Sequence, residues 1–317
     1  MNDPNTLLYV AVFLLTLIPT IVITKVMIPI LKRRAEQPIY TDGPSWHAVK
    51  TGTPTMGGIS FLIAIAFALL TCSLFKLIKG DSYGAASLLI CVIYSLLNGA
   101  VGIIDDITKL YRKKNAGLSA RAKLLLQFLL SSMFLLSRKT ILSEGTILNL
   151  PFGTYDFGAF YYIITLIILV GITNCANLTD GIDGLSSSVA FAISVSTFYF
   201  SYGVSDTASF ICASLAAGTV GFLVFNLHPA KIFMGDTGSL FIGSLVGALA
   251  FELGNPIAAI LSGGVYVIEG ISVILQVLFY KLTKKRLFKM APLHHHLERC
   301  GWDENKICIT AIILTLL

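Results

Sequence analysis

Asp105 and Asp106 stand side by side at the end of an apolar stretch, with Lys109 four and three residues further on. Adjacent carboxylates repel each other, and the negative end of a helix dipole disfavours them further. Something cationic must face them. Lys109 is within reach on a helix, and a divalent cation or a basic loop would compensate more strongly. A solvated helix cap with an ordinary ion pair is the plainer alternative.

Four more stretches have the residue types for chemistry. In Asn177-Leu178-Thr179-Asp180-Gly181-Ile182-Asp183-Gly184 a helical spacing of three would put Asn177, Asp180 and Asp183 on one face. Those all-oxygen groups suit Mg²⁺ or sugar and base hydroxyls, and no basic residue neutralises them locally. The alternative is a polar turn between helices. A calcium loop is excluded because the glutamate at its twelfth position is missing. Asn226-Leu227-His228-Pro229 leads to Phe233-Met234-Gly235-Asp236-Thr237-Gly238-Ser239, where small and hydroxyl residues open a helix. Such an opening is an anion site, unless Asp236 is simply its cap. Pro292-Leu293-His294-His295-His296-Leu297-Glu298 lies in a basic loop with Lys281, Lys284, Lys285, Arg286 and Lys289. Three consecutive histidines point apart on a helix, so they suit anion contact or proton handling rather than one shared metal. A basic patch facing lipid headgroups is the competing reading. Lys50-Thr51-Gly52-Thr53-Pro54-Thr55-Met56-Gly57-Gly58 enters another apolar run and suits an anion or capping role, or plain helix initiation after proline.

The elements that position these groups are membrane helices. Hydrophobic residues make up 55% of the 317 and charged residues 13%, about half the charge of a soluble domain, and the mean hydropathy is +0.81. Such a chain cannot cover itself with polar surface, so lipid is its solvent. The runs lack the alternation of barrel strands, which leaves helices. The expected fold is all-α, one polytopic domain over 1–317. Its spans are Leu7–Leu31, Gly57–Phe75, Ala85–Ile104, Ala122–Ser137, Phe157–Ile172, Leu185–Phe200, Ala208–Leu227, Leu240–Leu253, Pro256–Tyr280 and Ile307–Leu317. The last is short and stops at the chain end. Pro19 is expected to kink the first span and Pro29 to bend its end. No charged segment precedes the first run, so a cleavable signal peptide is not expected.

Alternate loops, counting Lys123 at the very start of the fourth span, hold 18 against 4 lysines and arginines. This bias puts the N-terminus outside and the richer loops in the cytoplasm. All five histidines and Asp105, Asp106, Asp180, Asp183 and Asp236 fall in or beside those loops. A transporter would place ionisable groups near the midplane. Only Glu269 lies deep in an apolar run, as a coupling site or an interhelical hydrogen bond. The six cysteines form no C-x-x-C pair and read as packing residues or free thiols. The net charge of +6 is explained by topology and needs no nucleic acid. Neither a Walker A motif nor a dinucleotide fingerprint occurs. Carboxylates, basic groups and glycine-rich helix entrances on one membrane face indicate Mg²⁺-dependent phosphoryl transfer from a soluble phosphorylated donor to a lipid.

The five stretches, in this order along nearly the whole chain, resemble the phospho-N-acetylmuramoyl-pentapeptide transferase (MraY) family. It sits within the polyprenyl-phosphate hexosamine-1-phosphate transferases, and the histidine triplet with Lys50–Gly58 points to the muramoyl branch. The resemblance implies ten helices with both termini outside, a homodimer, and a multi-pass protein of the bacterial plasma membrane. It implies that UDP-N-acetylmuramoyl-pentapeptide and undecaprenyl phosphate become lipid I and UMP, with Mg²⁺. It makes Asp236 the metal ligand and Asp105 and Asp106 catalytic acids. Asn177, Asp180, Asp183 and Phe233 would hold uridine and pyrophosphate, with Lys50, Thr55, Lys109, Lys123 and Asn226 nearby. His294, His295 and His296 would contact the sugar–peptide side or phosphate, and nucleoside inhibitors would enter the same cleft. The final span is shorter than the family's tenth helix. A UDP-N-acetylglucosamine transferase of the same superfamily and an ion-coupled transporter using Glu269 are the rival functions.

Overall fold

A computed structural model describes residues 5–33, 50, 52–112, 117–150 and 153–317; His47 and Thr51 lie outside them. Among the described residues the helices are α1 (Thr6–Lys32), α2 (Gly58–Ile78), α3 (Ser82–Arg112), α4 (Ala120–Ile141), α5 (Ala159–Thr179), α6 (Leu185–Ser201), α7 (Asp206–Asn226), α8 (Gly235–Glu252), α9 (Ala258–Ser262), α10 (Gly264–Thr283), α11 (Leu293–Glu298) and α12 (Glu304–Leu316). Between α4 and α5 lies a hairpin of β1 (Ile147–Leu150) and β2 (Gly153–Asp156).

Seven helices, α1 to α5, α7 and α10, are long and apolar enough to cross a bilayer. The other three expected spans correspond to α6, α8 and α12, of 17, 18 and 13 residues. This is an all-α multi-pass membrane protein, with two corrections to the expected elements. The ninth span is interrupted: Gly263 ends α9 and opens α10. A β-carbon there would lie 2.6 Å from the Ala259 carbonyl oxygen and 2.6 Å from Ile172 Cδ1, so the break is packed tightly against α5. The hairpin was not expected. It pairs Ile147 with Asp156 and Leu150 with Gly153, buries Leu148, and accepts a 2.7 Å bond from the Asn255 side chain at the Asn149 carbonyl.

Burial follows the membrane pattern, with large apolar groups outside and small or hydroxyl groups within. In α1, Leu7, Val10, Leu14, Ile18, Val22 and Val26 are exposed, while Thr16, Thr20 and Thr24 are buried. Those hydroxyls donate to the carbonyl four residues back, and Thr24 also reaches Ser60 Oγ at 2.7 Å. The helix continues through both Pro19 and Pro29.

The centre of the bundle is α8, buried without interruption from Thr237 to Phe251. Neighbours reach its backbone because they are glycines. A β-carbon on Gly102 of α3 would stand 2.3 Å from the Asp236 carbonyl oxygen, and one on Gly58 of α2 would stand 2.3 Å from Gly238 Cα. At the hairpin end, buried Arg138 pairs with Glu252 at 2.6 Å and with Glu144, so that charge is compensated rather than stranded.

Candidate active site

The α8 N-terminus needs an acceptor for its free N–H groups, and the residue before it, Met234, supplies no side-chain cap. Asp106 of α3 does this from across the interface. It accepts from the backbone N–H of Asp236 at 3.1 Å and of Thr237 at 2.9 Å, and from the Thr237 hydroxyl at 2.7 Å. The anion expected at this helix start is therefore the protein's own carboxylate. Asp236 is not the cap, and its carboxylate pairs instead with lysines of the neighbouring helices.

Around it, α3, α4 and α8 assemble a cluster of alternating charge. Lys109 Nζ lies 2.7 Å from Asp105, 3.0 Å from Asp236 and 3.7 Å from Asp106. Lys123, near the start of α4, contacts Asp236 and lies 3.4 Å from Asp105. Asp105 also accepts from the Leu118 N–H at 2.8 Å, which fixes the chain entering α4. Oxygens of Asp105, Asp106 and Asp236 all fall within 4.8 Å of one another. Asp105 and Asp106 are buried, whereas the Asp236 side chain keeps 15% of its exposure. Three carboxylates against two ammoniums leave the cluster about one charge negative.

The stretch from Asn177 to Gly184 does not present three residues on one face. Helix α5 stops at Thr179, and α6 begins after Gly184, whose φ is +78°. The Asx- and Gly-rich turn wins over helical continuation, and the three side chains part. Asn177 donates to Ser239 Oγ on α8 at 2.8 Å. Asp180 faces the carboxylate cluster. Loss of solvation, and then the negative charges of Asp236 and Asp106, push its carboxyl well above the ordinary range. Asp183 turns to a second cluster, where Lys50 Nζ lies 2.7 Å from it and 2.7 Å from Glu304, and His228 Nδ1 lies 3.0 Å away. Glu304 also accepts the Asp183 backbone N–H at 2.7 Å. Lys50 supplies the positive charge those acids need.

The entrance to α2 docks on the approach to α8. Phe233 N–H donates to the Pro54 carbonyl, Gly57 N–H to the Phe233 carbonyl, both at 2.8 Å, and Gly58 N–H to the Met234 carbonyl at 3.0 Å. These residues hold the backbone beneath the cluster. Thr55 is buried there, its hydroxyl against Gly235, and Phe233 is half-buried. Asn226 is buried and spends its amide on the Ile232 carbonyl at 2.9 Å, a scaffolding role for the same loop.

The histidine triplet separates as helix geometry requires. His294 is fully buried and its Nδ1 lies 3.1 Å from Glu269. His295 pairs with Glu298 at 2.6 Å. His296 Nδ1 accepts the Lys289 N–H at 3.2 Å, with its ring against Phe288.

One group escaped the sequence reading, Glu304 as the partner of Lys50 and Asp183; Glu269, read there as a coupling site or an interhelical hydrogen bond, pairs with His294. Glu304 follows Asp303, which caps α12. That local signal announces a helix start and says nothing of partners more than a hundred residues away.

The fold and the site define a multi-pass membrane protein in which a carboxylate–lysine cluster joins three helices. A model of the family described as Glycosyl transferase family 4 matches residues 88–254. Phospho-N-acetylmuramoyl-pentapeptide-transferases from three bacteria align over nearly all of it. That of Clostridium kluyveri is 41% identical over 300 residues, covering 92% of each chain. That of Carboxydothermus hydrogenoformans is 40% identical, covering 92% of this chain and 91% of its own, and that of Caldicellulosiruptor bescii 39%, covering 100% and 96%. The chain belongs to the phospho-N-acetylmuramoyl-pentapeptide-transferase family.

Proposed function

We propose that this chain transfers phospho-N-acetylmuramoyl-pentapeptide from its UDP-linked donor to undecaprenyl phosphate, giving lipid I and UMP. The reaction takes place at the cytoplasmic face of a bacterial plasma membrane, in a homodimer. The observation that carries this reading is the meeting of Asp105, Asp106, Lys109, Lys123 and Asp236 from three helices at one end of the bundle.

An oxygen of the acceptor phosphate attacks the β-phosphorus of the donor. The bond from that phosphorus to the bridging oxygen breaks, and the oxygen leaves with UMP. A phosphate monoester has a second pKa of about 6, so the nucleophile is already largely ionised and no strong base is required. Lys109 and Lys123 offer positive charge beside the reacting diphosphate, where it offsets the negative charge spread over phosphoryl oxygens. Asp105 keeps both lysines aimed, and Asp106 keeps Asp236 at the edge of the cleft. The all-oxygen donor set and its residual negative charge fit Mg²⁺, which takes one or two carboxylates plus substrate phosphates. Asp236 would hold it with Asp105 adjacent, and the ion would supply neutralisation of the leaving diphosphate oxygen. Asp180, Asp183 and Lys50 would hold the nucleoside and its pyrophosphate, a site that nucleoside inhibitors would share.

Purified protein in detergent, given the UDP-linked muramoyl pentapeptide, undecaprenyl phosphate and Mg²⁺, releases UMP and forms lipid-linked product without any ion gradient. Chelation of Mg²⁺ stops it, and UDP-N-acetylglucosamine does not compete. Equal use of UDP-N-acetylglucosamine would move the chain to the other branch of the superfamily. Absence of any lipid-linked product would remove the transferase reading.

A further inference from the structure

Glu269 is 5% exposed and lies in α10, whose Ile268, Ile271, Ile274 and Leu275 face outward. A carboxylate in a membrane helix is costly and persists where it is paired. Both of its oxygens are directed to one residue. The backbone N–H of His294 lies 3.1 and 3.2 Å from them, and Nδ1 of the same histidine lies 3.1 Å from Oε2. Acceptance from Nδ1–H fixes which ring nitrogen carries a proton and which way the ring faces.

The opposite nitrogen, Nε2, is buried and has no hydrogen-bond partner. A buried polar atom left unsatisfied costs about 1–3 kcal/mol, so its retention calls for an explanation. It points at the turn after Asp180: a β-carbon built on Gly181 would lie 2.3 Å from it. Only a glycine separates this nitrogen from the Asp180 side of the cleft. On the other side, Gly270 beside Glu269 packs against Cys175 of α5, so α10 and the helix leading into that turn are held together.

We propose that Glu269 is a positioning residue of the transfer reaction. It holds the His294 ring in one tautomer and one direction, so that Nε2, left as an acceptor against the Asp180–Gly181 turn, takes a hydrogen bond from a hydroxyl of the donor's sugar entering there. This rests on the transferase reading above, and it gives Glu269 a function that neither a transporter coupling site nor a mere interhelical bond requires.

The test measures UMP release and thermal unfolding for E269Q, H294N and the double variant of the whole chain in detergent. Glutamine keeps the size but offers one oxygen to two donors. Each single change lowers kcat by about 10- to 100-fold, with the donor KM within about threefold and the unfolding midpoint little changed. Adding E269Q to H294N costs less than about twofold more, because the two act as one unit. Wild-type turnover in E269Q, or losses that multiply in the double variant, overturns the proposal. Wild-type turnover in H294N overturns it as well, while the transferase reading stands on UMP release by the unmodified chain. Should E269Q fail to fold, G181A displaces the same ring edge from the other side: a matching loss supports the proposal, and full turnover overturns it.

Discussion

Asp106 and Asp236 are both acids of the cluster, but their surroundings separate their tasks. Asp106 gives its oxygens to the α8 N-terminus, whereas Asp236 faces two lysines at the edge of the cleft. In the proposed reaction, removal of Asp236 removes charge beside the reacting diphosphate. D236A is expected to lose about a thousandfold or more in turnover, the equivalent of several kcal/mol of transition-state stabilisation, measured as UMP release at saturating Mg²⁺. Asp180 is held against its own ionisation by desolvation and like charge. A carboxyl whose folded pKa is raised binds more protons folded than unfolded, so the folded state loses stability as pH rises through that window. D180N in metal-free detergent should therefore unfold at a higher temperature than the parent at about pH 8, with the gap closing towards about pH 4. A lower midpoint at both pH values would contradict that electrostatic account.

At the scale of elements, the cluster depends on how closely α3 approaches α8. Gly102 lies on α3 three residues before Asp105, and its missing side chain lets the α8 backbone come within reach. The G102A β-carbon would meet backbone atoms, which cannot rotate away, so the helices must part and the Asp106 hydrogen bonds must lengthen. We expect G102A to lower both the unfolding midpoint and turnover, the latter by about tenfold or more. G171A on α5, where a β-carbon meets nothing within 4 Å, should leave both unchanged. The helices themselves were legible from apolar length, and α3 from its carboxylates at one end. The division of Asn177, Asp180 and Asp183 among three partners was not, because a local pattern does not say where a turn takes over from a helix. The two strands were missed for a related reason: a four-residue pair between long helices carries too little periodicity to register.

For the whole molecule, the basic-loop bias and the site geometry make a joint prediction about sidedness. Cys300 follows the histidine triplet and is exposed, while Cys72, Cys91, Cys212 and Cys308 are buried and Cys175 is half-buried. A membrane-impermeant thiol reagent should label Cys300 in inverted vesicles and leave it unlabelled in intact spheroplasts. The reverse result would place the carboxylate–lysine cluster on the outer face and exclude a cytoplasmic nucleotide donor. The same loop region bears Glu304, which joins the start of α12 to Lys50 at the entrance of α2. Segments far apart in the chain are thus joined by one ion-pair cluster.

Composition and apolar run lengths by themselves determined that this chain is a multi-pass helical membrane protein. They suffice because the bilayer imposes a length and polarity on every span, whatever its neighbours. Only the tertiary structure decided that Asp106 caps another helix, that Lys50 belongs with Asp183 and Glu304, and that Glu269 faces His294. Each of those pairings is a balance of buried charge between segments distant in sequence, and such a balance exists only once the helices have packed.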